Sequence, residues 1–344
     1  MLSDPRSRSR AAVVAALLLG MVLGAVALRV AGGTASGGEA AQLADGTVSP
    51  SPTTTTTPVP GTPTQFTIST LNVLGAGHTS ANGNKKGWAP GPQRMAWLTD
   101  IVRASGVDVI GFQELELPQY RVFMQKAGAE YGIYPGQVWG PKATRNSVAW
   151  KLDEWELVSA SWVEIPYFHG NTMRMPVVLL RNLQSGQQAY FSTFHNPANA
   201  RGPAATWRKR ATQIEVAMVN RLRAESGLPV YVTGDMNERD IYFCRMTAGT
   251  DMVAANGGVN DGGGCGPARP TYIDWIFGSP ETTFSGYVAN RGPKVRRSTD
   301  HPMIIAQAAL PPVLADPDCP ATPTDGPTPT PTPTPTGSPT PNVP

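Results

Sequence analysis

The chain has 344 residues, a formal net charge of +3 and 40% hydrophobic residues, a length that would accommodate two domains. Residues 47–64, "TVSPSPTTTTTPVPGTPT", and residues 312–344, rich in "TPTP", carry almost no large apolar side chains. Such segments cannot bury enough surface to offset their ordering entropy, so they read as polyproline-like spacers and exclude a second domain at either end.

Residues 1–46 open with Arg6, Arg8 and Arg10, followed by eighteen apolar or small residues from Ala11 to Leu28, then Arg29. This is an export signal. The run exceeds the roughly 7–15 residues of a cleaved signal's core and approaches the ~20 that span a bilayer, so cleavage and anchoring both fit. Arg before the run keeps the N-terminus in the cytoplasm and sends the rest across. A secreted protein, or one anchored to the outer face of the cell membrane through this segment, is expected.

Residues 65–311 then form one domain with a substantial core. Strands are predicted at 66–73, 107–113, 147–152, 156–165, 176–183, 188–195, 229–235, 271–277, 284–289 and 303–309. Between the first two, "PQRMAWLTDIVRASG" has helical spacing, with Met95, Leu98, Ile101 and Val102 on one face and Gly106 at its end. After the sixth, "AATWRKRATQIEVAMVNRLRAESG" predicts a helix turning Ile214, Ala217, Met218 and Leu222 inward and closing at Gly227. Two helices among ten strands imply packed sheets covered by helices.

Three cysteines fit an oxidising compartment. Cys244 and Cys265 lie in what reads as one loop-rich insert, where a cross-link helps most, and Cys319 is left over in the tail. The domain carries 24 Lys and Arg against 19 Asp and Glu. Its excess positive charge includes "RGPAATWRKR" after His195 and "NRGPKVRRS" before Asp300, which either line a groove for a polyanion or form a solvated helix face and a basic loop.

Chemistry-bearing residues recur at strand ends. In order they are Asn72 in "TISTLNVLG", Glu114 in "VDVIGFQELE", His195 in "AYFSTFHNP", Asp235 and Asn237 in "PVYVTGDMNERD", Asp274 in "TYIDWIFGS", and Asp300 and His301 in "RRSTDHPMII". Side chains alternate faces along a strand, so Asp235 and Asn237 project to the same side. Carboxylates and carbonyl oxygens suit a hard cation such as Mg2+, and two imidazoles beside it point to phosphate ester chemistry rather than metal storage.

This order resembles the endonuclease/exonuclease/phosphatase superfamily, with its Asn on the first strand, "QE", His, "GD-x-N", "ID-[WY]" and terminal "DH", here spanning residues 65–311. The resemblance implies a four-layer α/β sandwich of two packed mixed sheets flanked by helices, with the site at one end of the sheets. It implies an Mg2+-dependent phosphodiesterase, with Mn2+ or Ca2+ as substitutes and nucleic acid as the expected substrate. Glu114, Asn72 and Asp300 would hold the metal, and Asp235 would orient or deprotonate the attacking water. Asn237 would hold a phosphate oxygen or the water, and His301, paired to Asp274, would face the phosphoryl group. His195 would protonate the leaving oxygen or bind phosphate. Arg174 in "MRMPVV" is similar to the phosphate-contacting Arg of deoxyribonuclease I, whereas "GPKATRNSVAWKL" offers no equivalent of the Glu that supports its histidine.

A phospholipid or small phosphoester hydrolase is the alternative within enzymes, although no long apolar hairpin of the sphingomyelinase kind is visible. A silent binding module of the same fold is the alternative outside them. A monomer is expected. His78 and His169 fall outside the pattern and read as surface or core residues, and Trp88, Trp97 and Trp139 read as core rather than base-stacking residues.

Overall fold

The computed structural model describes residues 63–312 together with Gly61. The export segment, most of the Thr/Pro linker and the tail with Cys319 lie outside the described residues.

Each sheet is built on one parallel pair bridged by a helix. In the first, β1 (Thr64–Asn72) runs through helix α1 (Gly91–Ala104) into β2 (Val109–Gln113), and β1 and β2 pair in parallel. After α2 (Leu117–Ala127) come β3 (Tyr131–Tyr134) and β4 (Ser147–Lys151), both antiparallel additions. The second sheet begins with β5 (Trp155–Pro166), β6 (Thr172–Asn182) and β7 (Gln188–His195). The 23-residue helix α3 (Ala204–Ser226) then carries the chain to β8 (Val230–Asp235), parallel to β7.

Helix α4 (Asp240–Gly249), the short strands β9 (Val253–Ala254), β10 (Gly258–Asn260) and β11 (Cys265–Pro267), and β12 (Asp274–Gly278) follow. β13 (Thr283–Asn290), α5 (Pro293–Ser298) and β14 (Met303–Leu310) return to the first sheet. The sheet orders are β13-β14-β1-β2-β4-β3 and β5-β6-β7-β8-β12-β9, with β10-β11 a separate hairpin.

Three apolar layers fix the sandwich. Phe66, Trp155, Phe191 and Tyr231 meet between the sheets with ring centroids 5.0–5.7 Å apart. Met95, Leu98 and Val102 of α1 cover the outer face of one sheet, and Met218, Val219 and Leu222 of α3 cover the other. Helix, sheet, sheet, helix is the four-layer arrangement.

Three departures from the sequence reading bear on what surrounds the site. On α3 the buried face is rotated: Ala217 is exposed and Ile214 half-buried, while Arg208 and Glu215 are inside. Both have buried polar partners described below, so a polar stripe faces the core and the apolar pattern misplaces the face. The insert holding the cysteines is not mainly loop, because Tyr242, Phe243 and Met246 of α4 are buried against Trp275 and Phe277. Cys244 on that helix is joined to Cys265 on β11. Finally, "PKVRRS" is the helix α5 rather than a loop, and it packs on α1.

Candidate active site

The two parallel strand pairs deliver their carboxyl ends to one end of the sandwich. Gln113 closes the gap between the sheets, donating from Nε2 to Thr193 Oγ1 at 2.7 Å, and Asn72, Glu114, His195 and Asp235 lie directly above it. Glu114 and Asn237 both have left-handed backbones, φ 57° and 51°. Non-glycine residues rarely adopt that conformation, and where they do the surroundings must hold them. Here the restraint on Asn237 is visible: its N–H donates to Asp235 Oδ1 at 3.0 Å, and its Nδ2 donates to the Asn196 carbonyl at 2.8 Å.

Asp235, 2% exposed, is the centre of the group. Its Oδ2 accepts from Asn72 Nδ2 at 3.1 Å and stands 3.6 Å from His195 Nε2 and 3.7 Å from His301 Nε2. His301 is oriented by Asp274, whose Oδ1 lies 2.9 Å from His301 Nδ1. Burial disfavours the imidazolium, but Asp274 and Asp235 outweigh that and push the His301 pKa up to about 10. Burial also raises the Asp274 carboxyl, against the pull of His301, and its second oxygen, Oδ2, is buried with no hydrogen-bond partner.

Glu114 is bound on both oxygens. Oε1 accepts from Asn72 Nδ2 at 3.1 Å, and Oε2 accepts from the Gly75 N–H at 2.8 Å and lies 3.2 Å from His78 Nε2. Burial would raise its pKa, yet His78, His195 and these hydrogen bonds together hold it well below the usual carboxylate range.

His78 is therefore a site residue, contrary to its reading as a bystander. Burial opposes its charge, but the contact with Glu114 prevails and pushes it up to about 9. It arrives on the loop after β1, which is anchored from below by Arg94. That fully buried guanidinium donates to the carbonyls of Val73, Leu74, Ala89 and Ser298. No local motif marks either residue. The signal in the sequence is only that His78 follows closely on the strand end bearing Asn72, whereas Arg94 comes later, on α1.

The other predicted residues are less tightly gathered. Asp300 faces Lys85 Nζ at 2.8 Å. Asn72 turns its amide N–H groups to Glu114 and Asp235, while its Oδ1 accepts from the Leu74 N–H at 3.0 Å, so as placed it spaces two carboxylates instead of offering an oxygen. Arg174 donates to Glu164 Oε1 at 3.2 Å, outside the cluster. Among the described residues the donor atoms that gather for a metal are those of Asp235, Asp274 and His301, all within 4.8 Å of one another. With Glu114 ionised beside them and Asp274 Oδ2 unpartnered, the carboxylate oxygens at this end fit a hard cation, while His301, its Nδ1 held by Asp274, stays outside the oxygen set.

Sequence reasoning also missed the underpinning of His195. The next residue, Asn196, donates from Nδ2 to Glu215 Oε1 at 2.9 Å, and Tyr242 Oη donates to Glu215 Oε2 at 2.6 Å. Arg208 Nε lies 3.0 Å from Glu238 Oε1, and its Nη1 donates to the Pro197 carbonyl at 2.7 Å. Helix α3 thus supports the loop after His195 through buried polar groups.

Solved structures share this architecture. An endonuclease/exonuclease/phosphatase family protein of Bacteroides thetaiotaomicron superposes with TM-score 0.55 at 18% identity, covering 72% of this chain and 99% of its own. The human Nocturnin catalytic domain with bound sulfate gives 0.55 at 14%, covering 71% and 94%. The mannosyl-6-phosphatase of Bacteroides thetaiotaomicron gives 0.54 at 17%, covering 71% and 99%. At such identities the likeness is one of fold. No curated protein matches the sequence closely enough to count as a relative. The model of the endonuclease/exonuclease/phosphatase family, by contrast, matches residues 69–301, and this chain belongs to that family of phosphoester hydrolases.

Proposed function

We propose that the chain is an exported, divalent-metal-dependent phosphodiesterase that acts on nucleic acid. One observation supports this most: a buried carboxylate, Asp235, stands between two imidazoles, 3.6 Å from His195 and 3.7 Å from His301. A phosphodiester needs one group to prepare the attacking water and another to protonate the departing oxygen, and this arrangement offers both.

In this reading Asp235 orients the water and accepts its proton. Asn237, whose backbone and side chain are both tied down, positions the water or a phosphate oxygen. His301, with Nδ1 committed to Asp274, presents Nε2 to the phosphoryl group in one fixed orientation. His195 donates a proton to the leaving oxygen or holds phosphate, and Arg174 reaches the phosphate by releasing Glu164. Glu114, supported by Asp300, would hold the metal, and Asn72 would keep Glu114 and Asp235 apart. Mg2+ is the proposed ion, with Mn2+ or Ca2+ as substitutes; when bound it supplies positive charge at the phosphoryl oxygens.

Export rests on the N-terminal apolar run and on the Cys244–Cys265 link, which an oxidising compartment sustains. Among the described residues no helix is long and apolar enough to cross a membrane.

The test is a panel of plasmid DNA, RNA, sphingomyelin and a chromogenic phosphodiester, each with Mg2+ or with EDTA. Mg2+-dependent cleavage of DNA or RNA is expected. Full activity after exhaustive chelation would remove the metal. Cleavage of sphingomyelin or of the small diester alone would move the substrate to a phospholipid or small phosphoester, and nucleic-acid binding without any hydrolysis would leave a binding module.

A further inference from the structure

Beside the site, the two sheets meet edge to edge in a cluster of aromatic rings that the proposed chemistry does not use. Tyr134 ends β3, the edge of one sheet, and Trp162 lies on β5, the edge of the other. Trp139 bridges them, with ring centroids 5.2 Å from Tyr134 and 5.6 Å from Trp162. The Arg174 guanidinium lies over the Trp162 ring, 4.9 Å from its centroid. This is not core packing: Trp162 is 46% exposed. Trp139 is half-buried at the surface, which corrects its reading as a core residue.

Its placement ties the cluster to the site. β3 is two strands from β2, which leads to Glu114, and β5 is two strands from β7, which carries His195. At roughly 4.8 Å per strand, the cluster lies about 10 Å across the sheets from these two strands, with Tyr134 level with Gly111, three residues before Glu114. Continuing the β6–β7 register beyond Val177 opposite Ser192 brings Arg174 level with His195. Aromatic faces and a stacked guanidinium beside a phosphodiester site are the groups that receive an unstacked base. An acyl chain would have to cover the guanidinium, so a planar polar ring fits better. The Arg174–Glu164 pair is about half exposed on both sides, and such pairs yield readily to a phosphate.

We propose that Trp162, Trp139, Tyr134 and Arg174 form a stacking subsite for a nucleobase flanking the scissile phosphate, so that the substrate is single-stranded or locally unpaired. This rests on the nucleic-acid reading above.

The decisive measurement compares oligothymidylate with an abasic oligomer of the same backbone, using wild type, W162A and W162F. The expected result is that W162A lowers the ratio of kcat/KM between the two substrates about tenfold, while W162F restores most of it. Equal loss on both substrates, or an unchanged ratio, would overturn the proposal. Calorimetric binding of a phosphorothioate oligothymidylate in EDTA reads the subsite without turnover. No binding by wild type would also overturn it. Binding that W162A weakens, with no nucleic acid cleaved, would refute the nuclease reading and leave the subsite standing.

Discussion

Within the site, the pairing of His301 with Asp274 makes the sharpest demand on individual side chains. If the imidazole acts on the phosphoryl group, His301→Ala should lower kcat by about 10²–10⁴ with little change in substrate binding. Asp274→Asn should cost less, because it mis-orients the ring without deleting it. Single-turnover rates on the best substrate check both, and a wild-type rate in His301→Ala would remove this residue from the mechanism. Glu215 makes a different demand. Buried completely, its carboxyl is raised by desolvation from 4.5 to about 7 despite its bonds to Tyr242 and Asn196. Between those values the folded state binds more protons than the unfolded, so the contribution of this one group is fully present below pH 4.5 and is lost as pH rises through 7, by about 3 kcal/mol. Glu215→Gln should flatten that fall, as urea midpoints at pH 5 and pH 8 would show. The site's outline was legible because Asn72, Glu114, His195, Asp235, Asp274 and His301 sit at strand ends in a recognisable order. Glu215 was not, because a buried carboxylate on a helix is indistinguishable in sequence from one on a solvated face.

Between elements, the approach of the two sheets beneath the site depends on a missing side chain. A Cβ at Gly111 of β2 would lie 2.0 Å from Thr233 Oγ1 and 2.5 Å from Thr193 Oγ1. Neither hydroxyl moves freely, since Thr233 donates to the Ser192 carbonyl at 2.9 Å and Thr193 accepts from Gln113. Gly111→Ala should therefore separate the sheets and destabilise the protein by about 1–3 kcal/mol, with activity falling below the loss in folded fraction. Parallel thermal melts and rates measure that difference. The insert gives a second case: opening the Cys244–Cys265 loop by Cys265→Ser should cost about 3 kcal/mol, read as a lower urea midpoint. All ten expected strands are present because alternating or continuous apolar runs register directly. Helices α2 and α4 escaped notice because each is short, and Glu114 and Asn237 just before them suggested site loops. Their amphipathic faces become plain only once Phe123 and Tyr242 have a sheet to cover.

At the scale of the whole molecule, the sandwich concentrates negative charge at one end and neutralises it with its own cations. Glu114, Asp274 and Asp300 are met by His78, His301 and Lys85, and Asp235 lies 3.7 Å from the same His301. A divalent ion entering this end would bind the folded state and not the unfolded chain, whose acidic groups are dispersed along the sequence. Mass action then requires the melting temperature to rise with Mg2+, by an amount equivalent to about 2.7 kcal/mol at one hundred times the dissociation constant. Glu114→Gln keeps the shape of the side chain and removes its charge, so it should shift that dependence to higher Mg2+. Thermal melts of the full chain over a Mg2+ series, with Ca2+ as a second cation and high NaCl as a control for screening, separate specific binding from general shielding. A wild-type midpoint that responds to NaCl and Mg2+ alike would mean that the protein's own cations suffice to balance this end, and the metal would drop out of the proposed chemistry.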